Sequence, residues 1–530
     1  MVFRKKILSF LAIVSVSSFA LMGCSKVGSD ASSSASSSNL MKKDVARGVA
    51  SEYYPATDTA KLAKYYEQKI NWTDCSEDLG GNAQCGNVTV PLDYIKPEKK
   101  DITLSLVRFQ STQTDREKVR GSLFVNPGGP GASGMEYAAS LVSTIDPAIR
   151  KNYDLIGWDP RGVGQSTPVS CLTDSELDEV IATSFDIRTE EGLKKDKEAS
   201  KAIADKCAEK SGELLPFVGT ESTVRDLDVM RELVGDAQLN YLGASYGTSI
   251  GARYADMFPH LVGHLVLDGA VDTTVPREEA DYAQMMGFET AARKYVEQCS
   301  GSSCPLTGDD DEKLRQIHDF LNSLADNPLK TTDGRTLTQG LAIYGIILPL
   351  YISQYDTLSM ALESAMKQKN GDVLLYLADA YNSRTENGYA DNSNEAFWAI
   401  NCADYVAISD EKSLEMANKL EKNSLTFGAT VGGTDICTSW AYQPKENPRV
   451  PNASGSSPIL VVGTEHDPAT PYQWAVGLSK QLENGILVSW MGGEGHTAYG
   501  RGSSCVDGVI NEYLISDKVP DGDVTCKVDS

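Results

Sequence analysis

Five short apolar runs, each ending at or just before Gly, Asn or Asp, constrain this chain most: Gly121–Asn126, Tyr153–Trp158, Leu239–Gly243, His264–Asp268 and Pro458–Gly463. Runs this short and this apolar suit strands buried on both faces, with turns at their carboxyl ends. Helical periodicities such as Thr223–Val234 and Ser249–Met257 lie between them. Asn87–Leu92 and Ile102–Phe109 alternate apolar and polar residues, like strands near a sheet edge. The pattern predicts an α/β fold, an open and mostly parallel sheet with helices on both faces. From Glu278 to Asn447 it changes to helical periodicities, at Tyr282–Gln298, Asp311–Leu324, Thr357–Lys367 and Lys412–Leu420, with almost no strand signal. A helical insertion there caps the carboxyl edge of the sheet, where such folds bind ligands. The expected organisation is a core of residues 51–277 and 448–530 interrupted by a helical lid, 278–447.

Acidic residues outnumber basic ones by 73 to 49, a formal charge of −24. A field of that sign repels phosphate backbones and argues against nucleic-acid binding. Eleven cysteines point to an oxidising compartment, and their odd number leaves one over. The N-terminus accounts for it. Arg4, Lys5 and Lys6 precede the apolar run Ile7–Met22, which passes into Leu21-Met22-Gly23-Cys24. This is the pattern of a secretory signal over residues 1–23, and it resembles a bacterial lipobox. The resemblance implies cleavage before Cys24 and a diacylglyceryl group on its sulfur. An anionic membrane would repel so acidic a protein, so the attachment is expected to be covalent. Ser25–Asn39 is Ser-rich and reads as part of a flexible tether, residues 24–50. The other ten cysteines are expected to pair with their neighbours: Cys75–Cys85, Cys171–Cys207, Cys299–Cys304, Cys402–Cys437 and Cys505–Cys526. No CxxC or HExxH motif occurs, so neither metal nor cofactor is expected. No pattern sets an oligomeric state.

Gly243-Ala244-Ser245-Tyr246-Gly247 is the sharpest motif. A nucleophile on a tight strand-to-helix turn needs small flanking residues, because the turn brings its flanks together. A GxSxG pattern arises by chance roughly 0.4 times in a chain of this composition, so context must decide. Gly247-Thr248-Ser249-Ile250-Gly251 also matches, but Ser249 falls inside the following helix while Ser245 directly follows a strand. A serine hydroxyl needs a base, and the base needs an orienting acid. Of five histidines, His260 and His264 come too soon after Ser245, His318 sits in the polar pattern of the lid, and His466 adjoins the candidate acid. His496, in a Gly-rich loop after the apolar segment Gly485–Met491, is the expected base. Asp467 is the expected acid, with Glu465 its near rival. Ser245, Asp467 and His496 follow the order nucleophile, acid, histidine of the hydrolases. Backbone donors for the oxyanion are expected at Tyr246 and in the loop Asn126-Pro127-Gly128-Gly129-Pro130-Gly131-Ala132-Ser133-Gly134, with Gly129 the choice. Gly129-x-Gly131-x-x-Gly134 also fits a dinucleotide fingerprint, with Asp154 about 20 residues on. Pro130 opposes that reading, because it removes an amide that would face pyrophosphate.

Asn126-Pro127-Gly128-Gly129-Pro130-Gly131, Trp158-Asp159-Pro160-Arg161-Gly162-Val163-Gly164-Gln165-Ser166, the Ser245 motif, Cys402-Ala403-Asp404 and Asp467-Pro468-Ala469-Thr470-Pro471 together resemble secreted tripeptidyl aminopeptidases. These are α/β-hydrolase peptidases related to the prolyl aminopeptidases, and the resemblance covers roughly Tyr65 to Cys526. It implies Ser245 as nucleophile, Asp467 as acid, His496 as base, and Gly129 with Tyr246 as oxyanion donors. Pro127 stands where prolyl aminopeptidases carry His. The implied substrates are peptides with a free N-terminus, with short esters as the alternative class and a solute-binding lipoprotein as a reading without catalysis. An exopeptidase needs a carboxylate to read the free amine. Asp404 is the first candidate and Glu395 the second, either of which can equally be a surface acid. Arg161 is expected in a structural ion pair. Activity is expected to fall below roughly pH 6, as the histidine is protonated.

Overall fold

The apolar runs become strands because a strand covered on both faces has no place for polar side chains. The computed structural model describes residues 50–529. The signal segment 1–23, Cys24 and all but the last residue of the tether 24–50 lie outside the described residues. Ten strands form one sheet: β1 Thr73–Asp74, β2 Ala83–Pro91, β3 Asp101–Phe109, β4 Ser122–Asn126, β5 Asp154–Trp158, β6 Leu239–Ala244, β7 Val262–Asp268, β8 Ile459–His466, β9 Gly485–Glu494 and β10 Val524–Lys527. Their order is β1-β2-β3-β5-β4-β6-β7-β8-β9-β10. β1, β2, β3 and β5 pair antiparallel, and every pairing from β5 through β4 to β10 is parallel. From β4 the chain passes to β5 on one side and later to β6 on the other. Such a reversal opens a crevice at the carboxyl ends of β4 and β6, where ligands of these sheets bind.

The two sheet faces carry separate cores. Phe124, Ile156, Tyr241, Leu265, Leu267 and Val461 pack on one face with residues of the helices Thr220–Leu233 and Tyr246–Met257. Leu123, Val125, Leu155, Leu242, Val266 and Val462 point the other way, onto helices Gly134–Leu141 and Ser504–Ser516. This alternation follows from the two-residue period of a strand.

The segment between β7 and β8 is helical, with two short hairpins at Leu329–Leu337 and Arg384–Tyr389. The periodic stretches fold as expected, as helices Arg277–Gln298, Asp310–Asp326, Tyr355–Leu362 and Asp410–Asn423. The helix Gln339–Tyr351 carries no amphipathic pattern, since eight of its residues are buried around its circumference. It centres a third core with Phe288, Leu314, Ile317, Leu321 and Leu358. All five expected disulfides are present. Among the described residues no helix is long and apolar enough to cross a membrane. Arg161 is fully buried, and two of its nitrogens each lie 2.7 Å from a different Asp226 oxygen.

Three carboxylates, Asp268 buried and the other two half-buried, set a stability trend. Burial pushes Asp236, Asp268 and Asp404 up to about 6, against hydrogen bonds that favour the charged form. In the unfolded chain an aspartate titrates near ~3.9. Between those values the folded protein binds more protons, so stability gained on acidification is present below about 4 and lost as pH rises through about 6. Tm measured by calorimetry is therefore expected to be higher at pH 5 than at pH 7.5. A flat or reversed trend would contradict this account. Glu176, held down to about 2 by Lys206, acts only in a more acidic range.

Candidate active site

β6 runs straight into helix Tyr246–Met257 with Ser245 as the only joint. Its backbone takes φ 55 and ψ −128, a conformation that costs a non-glycine residue about 1–3 kcal/mol. The crowding explains the flanking glycines. A Cβ on Gly243 would lie 2.5 Å from the Gly247 carbonyl. A Cβ on Gly128, at φ +93, would lie 2.6 Å from Ala244 O, 2.7 Å from Tyr246 N and 2.9 Å from Ser245 Cβ. The loop after β4 thus presses its backbone against the elbow, as the crevice between β4 and β6 requires. The Gly128 amide donates to Asn126 Oδ1 at 3.0 Å. The Gly129 and Tyr246 amides donate to no protein acceptor among the described residues and remain available. Ser249, in the overlapping motif, is buried inside the helix and faces no crevice.

Asp467 follows β8 and His496 follows β9, which places both at the same sheet edge as Ser245. His496 Nδ1 lies 2.9 Å from each Asp467 oxygen. Asp467 also accepts from the amides of Ala469, Thr470 and Thr497 and from the Thr470 hydroxyl. So many donors hold the carboxylate in one position. His496 is 5% exposed, and its Nε2 is buried without a hydrogen bond to the protein. The rival Glu465 is exposed and accepts only from Gly492 N, at 2.6 Å.

Two residues that sequence reasoning did not single out complete the arrangement. Asp268, at the end of β7, accepts the amides of Ala498 and Tyr499 and fixes the loop that carries His496. Its carbonyl accepts the Ser245 amide at 2.9 Å, and its neighbour Gly269 lies against the imidazole. Asp268 thereby spans both sides of the site, and a charged residue ending a buried strand was its visible signal. Tyr351 comes from the all-apolar helix Gln339–Tyr351, where no signal existed. Its carbonyl accepts the His496 amide at 3.0 Å, and its ring centroid lies 4.7 Å from the imidazole. Burial, above all, holds its phenol protonated, and its hydroxyl interacts with that of Ser245.

The two carboxylates expected to read an amine sit differently. Asp404 accepts the Thr220 amide at 2.7 Å and the Thr220 hydroxyl at 2.5 Å, capping helix Thr220–Leu233. It is a structural cap, and only through the Thr220 hydroxyl, 2.5 Å from that of Tyr246, does it touch the elbow. Glu395 accepts the amides of Cys171 and Leu172 with one oxygen and borders a 370 Å³ cavity beside Ser133. The dinucleotide reading fails on the same loop. The Asp159 carboxylate accepts from Ser133 Oγ and Met135 N, and so occupies the helix N-terminus where a pyrophosphate would rest.

A cavity of about 810 Å³ opens between the helical segment and residues 172–206, bordered among others by Arg277, Gln284, Phe288, Ile347 and Phe397. Phe288 stacks on Tyr351 with centroids 6.4 Å apart, and Gln284 donates to Ala469 O at 2.8 Å. The cavity wall therefore abuts the His496–Asp467 pair. A hydroxyl on a strained elbow, an oriented imidazole and free amides beside them are the parts that acyl transfer requires.

The fold and this site define a serine hydrolase of the α/β-hydrolase class. Residues 424–526 match the sequence model of the TAP-like protein family. Serine protease Hip1 of Mycobacterium tuberculosis is 35% identical over 483 residues, covering 87% of this chain and 91% of that protein. Carboxylesterase B of Mycobacterium tuberculosis is 34% identical over 471 residues, covering 86% and 89%. Tripeptidyl aminopeptidase of Streptomyces lividans is 31% identical over 476 residues, covering 86% of each. The chain belongs to the family of tripeptidyl aminopeptidase-like serine hydrolases that these proteins represent.

Proposed function

We propose that this enzyme cleaves peptides from a free N-terminus by a Ser245–His496–Asp467 relay, outside the cytoplasmic membrane and tethered through a lipid on Cys24. The observation that carries the reading is the His496–Asp467 pair at 2.9 Å, with Nε2 buried and unbonded on the opposite side of the ring. Ser245 Oγ attacks the scissile carbonyl while His496 Nε2 takes its proton. Asp467 holds the opposite ring nitrogen as donor and stabilises the imidazolium. The Gly129 and Tyr246 amides receive the tetrahedral oxyanion, each worth about 3–4 kcal/mol if lost. His496 then returns the proton to the departing amine, and water clears the acyl-enzyme by the same steps in reverse. Residues 278–447 act as the lid over the crevice, and the cavity beneath receives the acyl part of the substrate. The five disulfides support an oxidising location.

An esterase would use the same relay, and the likeness to carboxylesterase B keeps that reading open. The purified enzyme is expected to cleave peptide p-nitroanilides with a free N-terminus at least ~10-fold faster, in kcat/KM, than their N-acetyl counterparts. Hydrolysis of p-nitrophenyl acetate without either anilide would assign an esterase instead. Failure of the folded protein to react with a fluorophosphonate would favour a binding protein.

A further inference from the structure

We propose that the Asp281 carboxylate receives a cationic nitrogen of the substrate, an ammonium at the chain terminus or on a side chain. The assignment rests on the peptidase reading above and follows from a charge imbalance in the 810 Å³ cavity. Arg277 Nη1 lies 3.2 Å from Asp435, whereas its Nε lies 4.0 Å from Asp281, beyond hydrogen-bond reach. One guanidinium therefore serves two carboxylates. Asp435 takes most of it and also accepts the amides of Ile408 and Cys437. Glu278, the other acid near Asp281, is matched by Lys412. Among the described residues Asp281 keeps one unbalanced negative charge and accepts no hydrogen bond, and 46% of its side chain is open.

The other acids that border the cavity are committed or peripheral. Asp196 accepts the amide and hydroxyl of Thr434, Glu176 pairs with Lys206, and Glu179 is exposed at the rim. Burial pushes the Asp281 carboxyl up to about 6, with Arg277 opposing and Asp435 and Glu278 adding. A carboxylate crowded by two other acids and short of a full counter-charge gains from an added cation.

Position supports the same reading. Asp281, Gln284 and Phe288 lie on helix Arg277–Gln298 at spacings of three and four, hence on one face. That face meets the reacting groups at its far end, where Gln284 bonds Ala469 and Phe288 stacks on Tyr351. Seven residues of helix rise about 10 Å. About three residues of extended chain cover the same span. Phe397 and Tyr381, 44% and 40% exposed, line the same cavity and suit the apolar parts of such a chain.

The test compares the wild type with Asp281→Asn on four substrates: a free-amine alanyl tripeptide p-nitroanilide, its N-acetyl form, an N-acetyl peptide with lysine before the scissile bond, and p-nitrophenyl acetate. The substitution is expected to lower kcat/KM on the free-amine peptide by ~10- to 100-fold, leaving the ester and the N-acetyl alanyl peptide within about two-fold. A loss confined to the lysyl substrate supports the site and assigns the cation to a side chain. Equal rates for both enzymes on every peptide, or equal losses on all four substrates, overturn the proposal while the peptidase reading stands. A wild type that cleaves only the ester removes the peptidase reading and this assignment with it. An unchanged rate of fluorophosphonate labelling shows that the variant is folded.

Discussion

Ser245→Ala should lower hydrolysis of peptides and esters by ~10⁴-fold or more and abolish labelling by a fluorophosphonate. Alanine keeps the Cβ and carries the same backbone strain at φ 55, so Tm should barely change. The matched control is Ser249→Ala in the overlapping motif. Ser249 Oγ is buried in the helix without a hydrogen-bond partner, so its removal should leave activity within about two-fold. Labelling that survives in Ser245→Ala would remove Ser245 as nucleophile, and the acyl-enzyme with it.

Asp467→Asn carries the second large effect, an expected loss of ~10³- to 10⁴-fold in kcat. The carboxylate accepts from five donors, and an amide can accept through only one of its two heads. If the NH₂ group faces His496, the ring proton moves to Nε2 and the base cannot take the serine proton. On either side that group also meets a protein donor, the Ala469 and Thr470 amides at one oxygen's place or the Thr497 amide at the other's, at a cost of about 1–3 kcal/mol in stability. Glu465→Gln is the comparator. It touches only the Gly492 amide, and its loss should leave kcat within about two-fold. A larger loss in Glu465→Gln than in Asp467→Asn would reverse the assignment of the acid.

The parts of this molecule that were readable beforehand are those where one local constraint dominates. A strand covered on both faces must be apolar, so β4 through β8 stood out along the chain. A serine between a strand and a helix with no intervening loop must have small flanks, so Gly243 and Gly247 marked Ser245. Tyr351 was hidden because helix Gln339–Tyr351 is apolar all round and gives no face to read. β9 read only as an apolar segment, since its edge of the sheet is completed by β10 more than 30 residues later. The place of Asp404 was hidden for a different reason. Its partner Thr220 lies 184 residues earlier, and a cap supplied over that distance leaves no local trace. Asp281 shows the converse, since an aspartate on a helix that also carries Glu278 and Glu279 looks like ordinary surface charge until its neighbours are counted.

The disulfides bear on how such a chain reaches its folded state. Among the described residues the ten cysteines bond in consecutive pairs, across 10, 36, 5, 35 and 21 residues, and no bridge encloses another. With the Cys24 sulfur blocked by the proposed lipid, a polypeptide emerging N-terminus first therefore offers each of these ten thiols its proper partner before any competitor appears. Oxidation in order of arrival yields the whole native set, and an oxidant without isomerase activity is enough.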